Sequence, residues 1–189
     1  PPHVDLELLR LLRANGGKSC KPANLAKAYG KNLRWRRANI LWPVGASASV
    51  AASTRLWPAA CEHGNGAWAL DDRLHIGLNI GRARGGHIVK LERVGQSAIS
   101  DICKEPQGDE RVLQHYFSLL ETMLIGLNAE SAKCGKLLRM YEIMDLKGLS
   151  PRHVTLLVMR TMTRLLLTVV SVYAETTVRA VLLNMPLSA

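Results

Sequence analysis

The chain has 189 residues, enough for one ordinary domain or for a small helical module attached to a larger lobe with a sizeable core. Its 25 Lys and Arg against 15 Asp and Glu give a formal charge of +10, which favours anionic partners such as nucleic acid or an acidic bilayer face. Aromatic residues make up only 5% of the chain, which argues against base stacking on single-stranded nucleic acid.

The spacing of the cysteines and the composition of the N-terminus bear on the cellular compartment of the protein. The four cysteines form no CxxC pair, so no zinc ribbon or redox motif is present, and reduced thiols in a cytosolic protein fit best. The N-terminus has neither the basic start nor the apolar run of a signal peptide. We therefore expect a cytoplasmic protein, and the start without Met suggests a fragment.

The first forty residues have the pattern of a helical hairpin. Leucines recur at helical intervals over residues 3–14, and the turn residues Asn15, Gly16 and Gly17 end that pattern. A second helix is predicted to follow Pro22. Its expected buried stripe consists of Leu25, Ala28, Tyr29, Leu33 and Trp35. Residues 1–40 are therefore predicted to form an N-terminal helical module.

A connector and a hairpin are expected next. Residues 41–72 are rich in Ala, Ser, Gly and Pro, lack a sustained period and are interpreted as a connector. Residues 74–80 and 87–94 read as two strands joined by the glycine-rich segment 81–86, which predicts a β-hairpin. A phosphate-binding loop is the alternative, but no GxxxxGK[ST] sequence is present.

The remaining sequence predicts a βαβ crossover. Residues 110–127 are amphipathic at helical spacing, and a strand is predicted over 138–146. Ser150 is the expected N-cap of a helix that begins at Pro151 and ends near Tyr173, and the last strand is predicted over 178–183. A parallel connection of this kind is right-handed. Residues 73–189 are thus expected to form an α/β lobe, a mainly parallel sheet flanked by helices.

A transmembrane interpretation and a catalytic one find little support. The most apolar stretch, residues 154–170, is shorter than a usual membrane span and contains Arg160 and Arg164. The sequence contains no GxSxG, HExxH or GxGxxG motif. Cys61 and His63 could supply two metal ligands, but no second pair stands at a recognised spacing. We expect no catalytic residues, no metal and no cofactor.

Two C-terminal segments carry a resemblance to a known family. Residues 143–150, Ile-Met-Asp-Leu-Lys-Gly-Leu-Ser, and residues 173–186, with Tyr-Ala-Glu followed by Asn-Met-Pro, resemble the CRAL-TRIO lipid-binding family. The leucine-arginine run of residues 8–13 and the Leu-Arg-Trp-Arg of residues 33–36 are similar to the helical module that precedes its lipid-binding lobe. The resemblance implies a non-enzymatic carrier that transfers a phospholipid or another lipophilic molecule at an acidic membrane surface. Relatives continue with a gate helix that closes the pocket, and this sequence ends at Ala189 without one.

The resemblance also implies candidate site residues. Glu175 matches a glutamate that engages the inositol headgroup in phosphatidylinositol-binding relatives. Met140 and Glu142 match cavity-facing positions, and strand alternation places Met144 on the same side. Lys90 occupies the position of a pocket-facing aromatic residue. A carboxylate in an apolar cavity is costly unless it is paired, so we hypothesise an internal pair of Lys90 and Glu142 that selects a polar-ended ligand. The alternative is that one or both point to solvent.

The sequence is compatible with three alternative functions. The chief rival is a protein-interaction or regulatory module that uses the same fold without cargo. A metal-dependent or hydrolytic enzyme ranks third. Nucleic-acid binding ranks fourth, and no nucleic-acid partner is expected.

Overall fold

The computed structural model describes residues 4–39 and 71–186. Nearly all of the predicted connector, including the candidate pair Cys61 and His63, lies outside these residues. Within them the chain is an α/β protein with a mixed, mainly parallel sheet flanked by helices, as the sequence predicts.

The described elements follow one another in a simple order. The helices are α1 (Val4–Ala14), α2 (Pro22–Asn39), the short α3 (Asp71–Leu74), α4 (Ile99–Lys104), α5 (Gly108–Cys134) and α6 (Leu156–Val172), and the strands are β1 (Ile76–Arg82), β2 (Ile88–Glu92), β3 (Met140–Asp145) and β4 (Thr177–Leu183). Short 3-10 turns cover Gly17–Ser19, Val94–Gln96 and Pro151–Val154.

The sheet has the strand order β1-β2-β3-β4. β1 pairs with β2 antiparallel, which confirms the predicted hairpin, and the register shifts between Gly77 and Gly81. β2 with β3, and β3 with β4, are parallel pairs, so the predicted crossover between the last two strands is also confirmed. Both crossovers advance in the same direction across the sheet, and right-handed connections then place α5 and α6 on the same side of it.

The core lies between this side of the sheet and the helices. α5 covers β2 and the start of β3 through an apolar cluster that contains Ile88, Met123, Leu127 and Met140. A second cluster joins α4, α5 and α6, and its largest members are buried almost completely: Leu74, Ile99, Ile102, Val112, Tyr116 and Val158. These clusters fix the helices over β2 and leave β4 at the margin of the core.

Several predicted boundaries differ from the structure. α5 runs from Gly108 to Cys134 and is longer than predicted, because polar residues of its last turns are buried against the lobe. Ser150 forms a capping box with His153, but it caps the 3-10 turn that begins at Pro151. α6 itself begins after Thr155, whose side chain accepts a hydrogen bond from the backbone N–H of Val158. The predicted cap was therefore assigned to the wrong helix.

Candidate functional site

On one face of the sheet, the side chains of β2 are buried under a helix and those of β4 are exposed to solvent. The register places Lys90 of β2, Glu142 of β3 and Ala180 of β4 side by side, so their side chains share a face. Lys90 is buried beneath α5, Glu142 is partly buried and Ala180 is exposed. Leu182, two residues further along β4 on the same face, is 48% exposed. Glu142 therefore lies at the boundary between the core and an uncovered apolar strand.

Lys90 is the centre of an ion-pair network on this face. Its Nζ lies 2.5 Å from Glu142 Oε1 and 3.0 Å from Glu92 Oε2. Tyr116 of α5 donates a hydrogen bond from its hydroxyl to the other oxygen of Glu92. The predicted contact between Lys90 and Glu142 is thus present, and Glu92 and Tyr116 are members that the sequence did not reveal.

The network holds its charges in fixed states. Burial by itself lowers the pKa of Lys90, but the carboxylates of Glu92 and Glu142 outweigh burial and hold that pKa above its usual range. Burial, reinforced by Glu92, raises the pKa of Tyr116 far above its usual range. At neutral pH the ammonium is therefore protonated and the phenol is neutral. Such a network is stable only while each buried charge keeps its partner.

Helix α6 carries a stripe of exposed apolar residues. Its buried side holds Val158, Thr161 and Val172. At about 100° per residue, five of the six exposed large apolar residues of α6 fall on one flank beside that buried side, and the sixth, Leu157, falls on the other flank. The five are Leu156, Met159, Leu166, Leu167 and Val170, and Leu166 and Leu167 are 62% and 66% exposed.

The opposite flank of α6 is polar except for Leu157. It presents Arg160, Arg164 and Ser171, and Arg164 Nη1 lies 2.6 Å from Glu110 Oε1 on α5. α6 packs against α4 and α5 and leaves Ala180 and Leu182 of β4 exposed. We refer to the exposed stripe of α6 together with the uncovered face of β4 as the open apolar surface. Single exposed leucines are ordinary, but five exposed apolar residues on one flank of one helix indicate an interaction site.

Arg10 of α1 fastens the N-terminal module to the lobe. It is 2% exposed, and its guanidinium donates to Asn128 Oδ1 at 3.0 Å, to the Glu175 carbonyl at 2.9 Å and to the Leu138 carbonyl at 2.7 Å. Burial, with the nearby Arg139, lowers the pKa of Arg10 to about 10, so the side chain stays charged at neutral pH. No feature of the local sequence distinguished Arg10 from its exposed neighbours.

The motif at residues 33–36 completes the same junction. Trp35 packs edge-on against Phe117 and Tyr173, with ring centroids 4.9 and 6.2 Å away. Arg36 Nη1 lies 2.8 Å from Glu7 Oε2, and its Nε lies 3.2 Å from Glu121 Oε2. The pocket at this junction has a volume of about 10 Å³, which is room for one water molecule and not for a lipid.

Glu175 lies at the amino end of β4, before the strand begins. Its carboxylate is 3.2 Å from Arg139 Nη1, and its backbone has a φ of 58°, in the left-handed region that non-glycine residues rarely adopt. Its carbonyl is held by Arg10. The structure therefore places Glu175 in an ion pair at the α1 junction, separate from the Lys90 network in the middle of the sheet.

The two methionines among the predicted site residues have different environments. Met140 is buried against α5 with Met123 and Leu127, so it belongs to the core cluster. Met144 is half-buried and aligns with Leu182 of β4, on the face that becomes open there. Of the five predicted residues, Lys90, Glu142 and Met144 share this face near its open part. Met140 lies on that face beneath α5.

Two comparisons with known proteins found no match. No protein-family model matches the chain, and no curated protein matches it either.

None of the helices in residues 4–39 and 71–186 combines the length and hydrophobicity that a bilayer crossing requires. The same residues hold no group of three or more His, Cys, Asp or Glu placed to bind a metal ion.

Proposed function

We propose that this protein binds a phospholipid or another lipophilic ligand on the open apolar surface and transfers it between membranes without catalysing a reaction. The observation that carries the proposal is the exposed apolar flank of α6 together with the exposed residues Ala180 and Leu182 of β4. Right-handed crossovers put the helix on the side of the sheet that these two residues face. An acyl chain that covered this surface would remove both from water, at about 0.8 kcal/mol for each buried CH₂ group.

The element order supports a likeness to the CRAL-TRIO family, which we keep as part of the proposal. The helical module, the hairpin and the last parallel crossover occur in the order in which the sequence predicts them. The positive charge of +10 would draw the chain to an acidic cytosolic membrane face. We therefore propose a cytoplasmic protein that associates peripherally with membranes.

A polar group at the edge of the surface would give specificity. A lipid leaves one apolar environment for another when it moves from a bilayer to a protein, so the net exchange of its chains is nearly neutral. Discrimination then depends on a few polar contacts. Glu142, partly exposed and held by Lys90, is the ionised group at the boundary of the uncovered β4 face.

The test is transfer of a fluorescent phosphatidylcholine between vesicles that contain acidic lipid. Leu166→Gln combined with Leu167→Gln is expected to lower the transfer rate at least about tenfold, because burying each leucine is worth about 1.5 to 3 kcal/mol. Leu9→Gln, at a leucine of α1 that is also exposed, is the matched control and is expected to transfer at the wild-type rate. Circular dichroism would establish that all three proteins are folded.

Two results would contradict the proposal: wild-type protein that transfers lipid no faster than vesicles alone, or a double variant that transfers as fast as the wild type. The rival, a cargo-free interaction module, is favoured by the fact that the surface is open to solvent rather than enclosed. Native mass spectrometry separates the two, because a carrier retains a lipid on purification and an interaction module does not.

A further inference from the structure

The polar network beside the open apolar surface does not balance its charges. It contains one ammonium, that of Lys90, and two carboxylates, those of Glu92 and Glu142, while Tyr116 is neutral. Among the residues that the structure describes, Lys90 is the only cation within ion-pair distance of either carboxylate. The described groups of the site, one Lys and two Glu, therefore have a formal charge of −1.

The excess is accessible at Glu142 and not at Glu92. Glu92 is buried under α5, and both of its carboxylate oxygens have partners, Lys90 and Tyr116. Glu142 has a side chain that is 22% exposed and uses only Oε1 in its contact with Lys90. Its neighbour on β4, Ala180, has a small side chain that leaves the space above the strand open. Glu142 Oε2 is thus the atom of the network that can accept a hydrogen bond from a molecule on the open apolar surface.

We propose that the polar end of the ligand is a cation: the surface takes a lipophile with a primary ammonium group, which donates to Glu142 Oε2 while its hydrocarbon chain covers the exposed face of β4 beside it, at Ala180 and Leu182. This inference rests on the proposed function, since it assigns the ligand class of the same surface.

Charge discriminates against the opposite class of ligand. Two like charges a few ångströms apart repel strongly at a partly buried site, where the dielectric screening of bulk water is reduced. A fatty-acid carboxylate would approach Glu142 unfavourably. Lys90 cannot offset this repulsion, because it is 7% exposed and already bound to two carboxylates. A neutral alcohol can donate one hydrogen bond to Glu142 and is expected to bind with intermediate affinity.

The positive charge of the protein helps to show whether a preference for amines over carboxylates arises at Glu142. A chain with a formal charge of +10 attracts anions in general. Stronger binding of an amine than of a carboxylate would run against that general attraction and would have to arise locally.

The experiment compares three ligands with the same hydrocarbon chain: dodecylamine, lauryl alcohol and laurate. Their affinities for the full chain are measured by isothermal titration calorimetry below their micelle-forming concentrations. We expect dodecylamine to bind at least about tenfold more tightly than laurate, a difference of about 1.4 kcal/mol. In Glu142→Gln, which removes the accessible charge and leaves Lys90 paired with Glu92, the ratio is expected to fall to within about threefold.

Two further variants separate the charge from the fold. Glu142→Asp keeps the carboxylate and is expected to retain the order amine, alcohol, carboxylate. Glu130→Gln is the matched control, because the Glu130 side chain is 20% exposed and also pairs with basic residues, Arg82 and Lys133, away from this face. It is expected to leave the ratio unchanged.

The outcomes distinguish this inference from the proposed function. If laurate binds as tightly as dodecylamine, or if Glu142→Gln leaves the ratio unchanged, the assignment of a cationic end is wrong while lipid binding still stands. If none of the three ligands binds, the inference fails. If, in addition, neither phosphatidylcholine nor phosphatidylethanolamine, whose headgroup carries a primary ammonium, is transferred, the proposed function fails as well.

Discussion

Replacing Arg10 tests how the N-terminal module is held to the lobe. Arg10→Ala removes three charge-assisted hydrogen bonds and leaves the Asn128 amide oxygen and the carbonyls of Leu138 and Glu175 without this donor. Hydrogen bonds to charged groups contribute about 1.5 to 3 kcal/mol each, and they are not additive when one side chain makes all of them. Because leaving a buried acceptor without a donor costs about 1 to 3 kcal/mol, we expect Arg10→Ala to lower the free energy of unfolding by about 3 kcal/mol.

Two variants make the measurement specific. Arg13→Ala, at an exposed arginine near the end of the same helix, is expected to change stability by about 0.5 kcal/mol or less. Arg10→Lys keeps the charge but cannot reach three acceptors at once, and it is expected to fall between the two alanine variants. The assay is urea unfolding followed by far-ultraviolet circular dichroism. An Arg10→Ala protein whose stability matches that of Arg13→Ala would refute the reasoning.

Two other predictions concern packing and a strand-end carboxylate. Gly108→Ala would place a Cβ 1.7 Å from the carbonyl oxygen of Ile102. We therefore expect thermal unfolding to show that the free energy of unfolding falls by about 3 kcal/mol or more. Gly81→Ala is the control, because no atom lies within 4 Å of its new Cβ, and it is expected to unfold at the wild-type temperature. A hydrogen bond from Asn184 is the main cause that lowers the pKa of Asp145. A carboxyl whose pKa is lowered by folding stabilises the protein above its ordinary pKa and loses that contribution as the pH falls through the lowered value. Asn184→Ala is therefore expected to raise the pKa of Asp145 toward its ordinary value in an NMR titration, and an unchanged pKa would contradict this.

The regular elements were predictable because their residues alternate or repeat in a way that local structure alone determines. The hairpin and the two strands of the last crossover follow from apolar alternation bounded by turn residues, and the structure confirms them. The start of α6 was not predictable in the same way. Ser150 followed by Pro151 has the sequence of a helix start, and only the path of the chain shows that the helix it caps ends after one 3-10 turn.

The site was predictable only in part, for a different reason. The pair of Lys90 and Glu142 was predicted from positions that the resemblance implies, and the register of β2 with β3 places both residues on one face. The burial of Arg10 depends on acceptors far away in the sequence, and arginine is ordinarily exposed. The exposure of Leu166 and Leu167 was equally hidden, because a helical apolar pattern indicates which residues share a face and not whether another element covers that face.

The hydrogen bonds of Arg10 can form only after most of the chain has been synthesised. Its acceptors lie 118, 128 and 165 positions later in the chain, so α1 is complete long before the groups that bind it exist. At typical rates of translation, the ribosome needs about 10 to 30 s to proceed from Arg10 to Glu175. Helix α1 is thus among the last of the described elements to reach its final place, and until then Arg10 has none of these three acceptors.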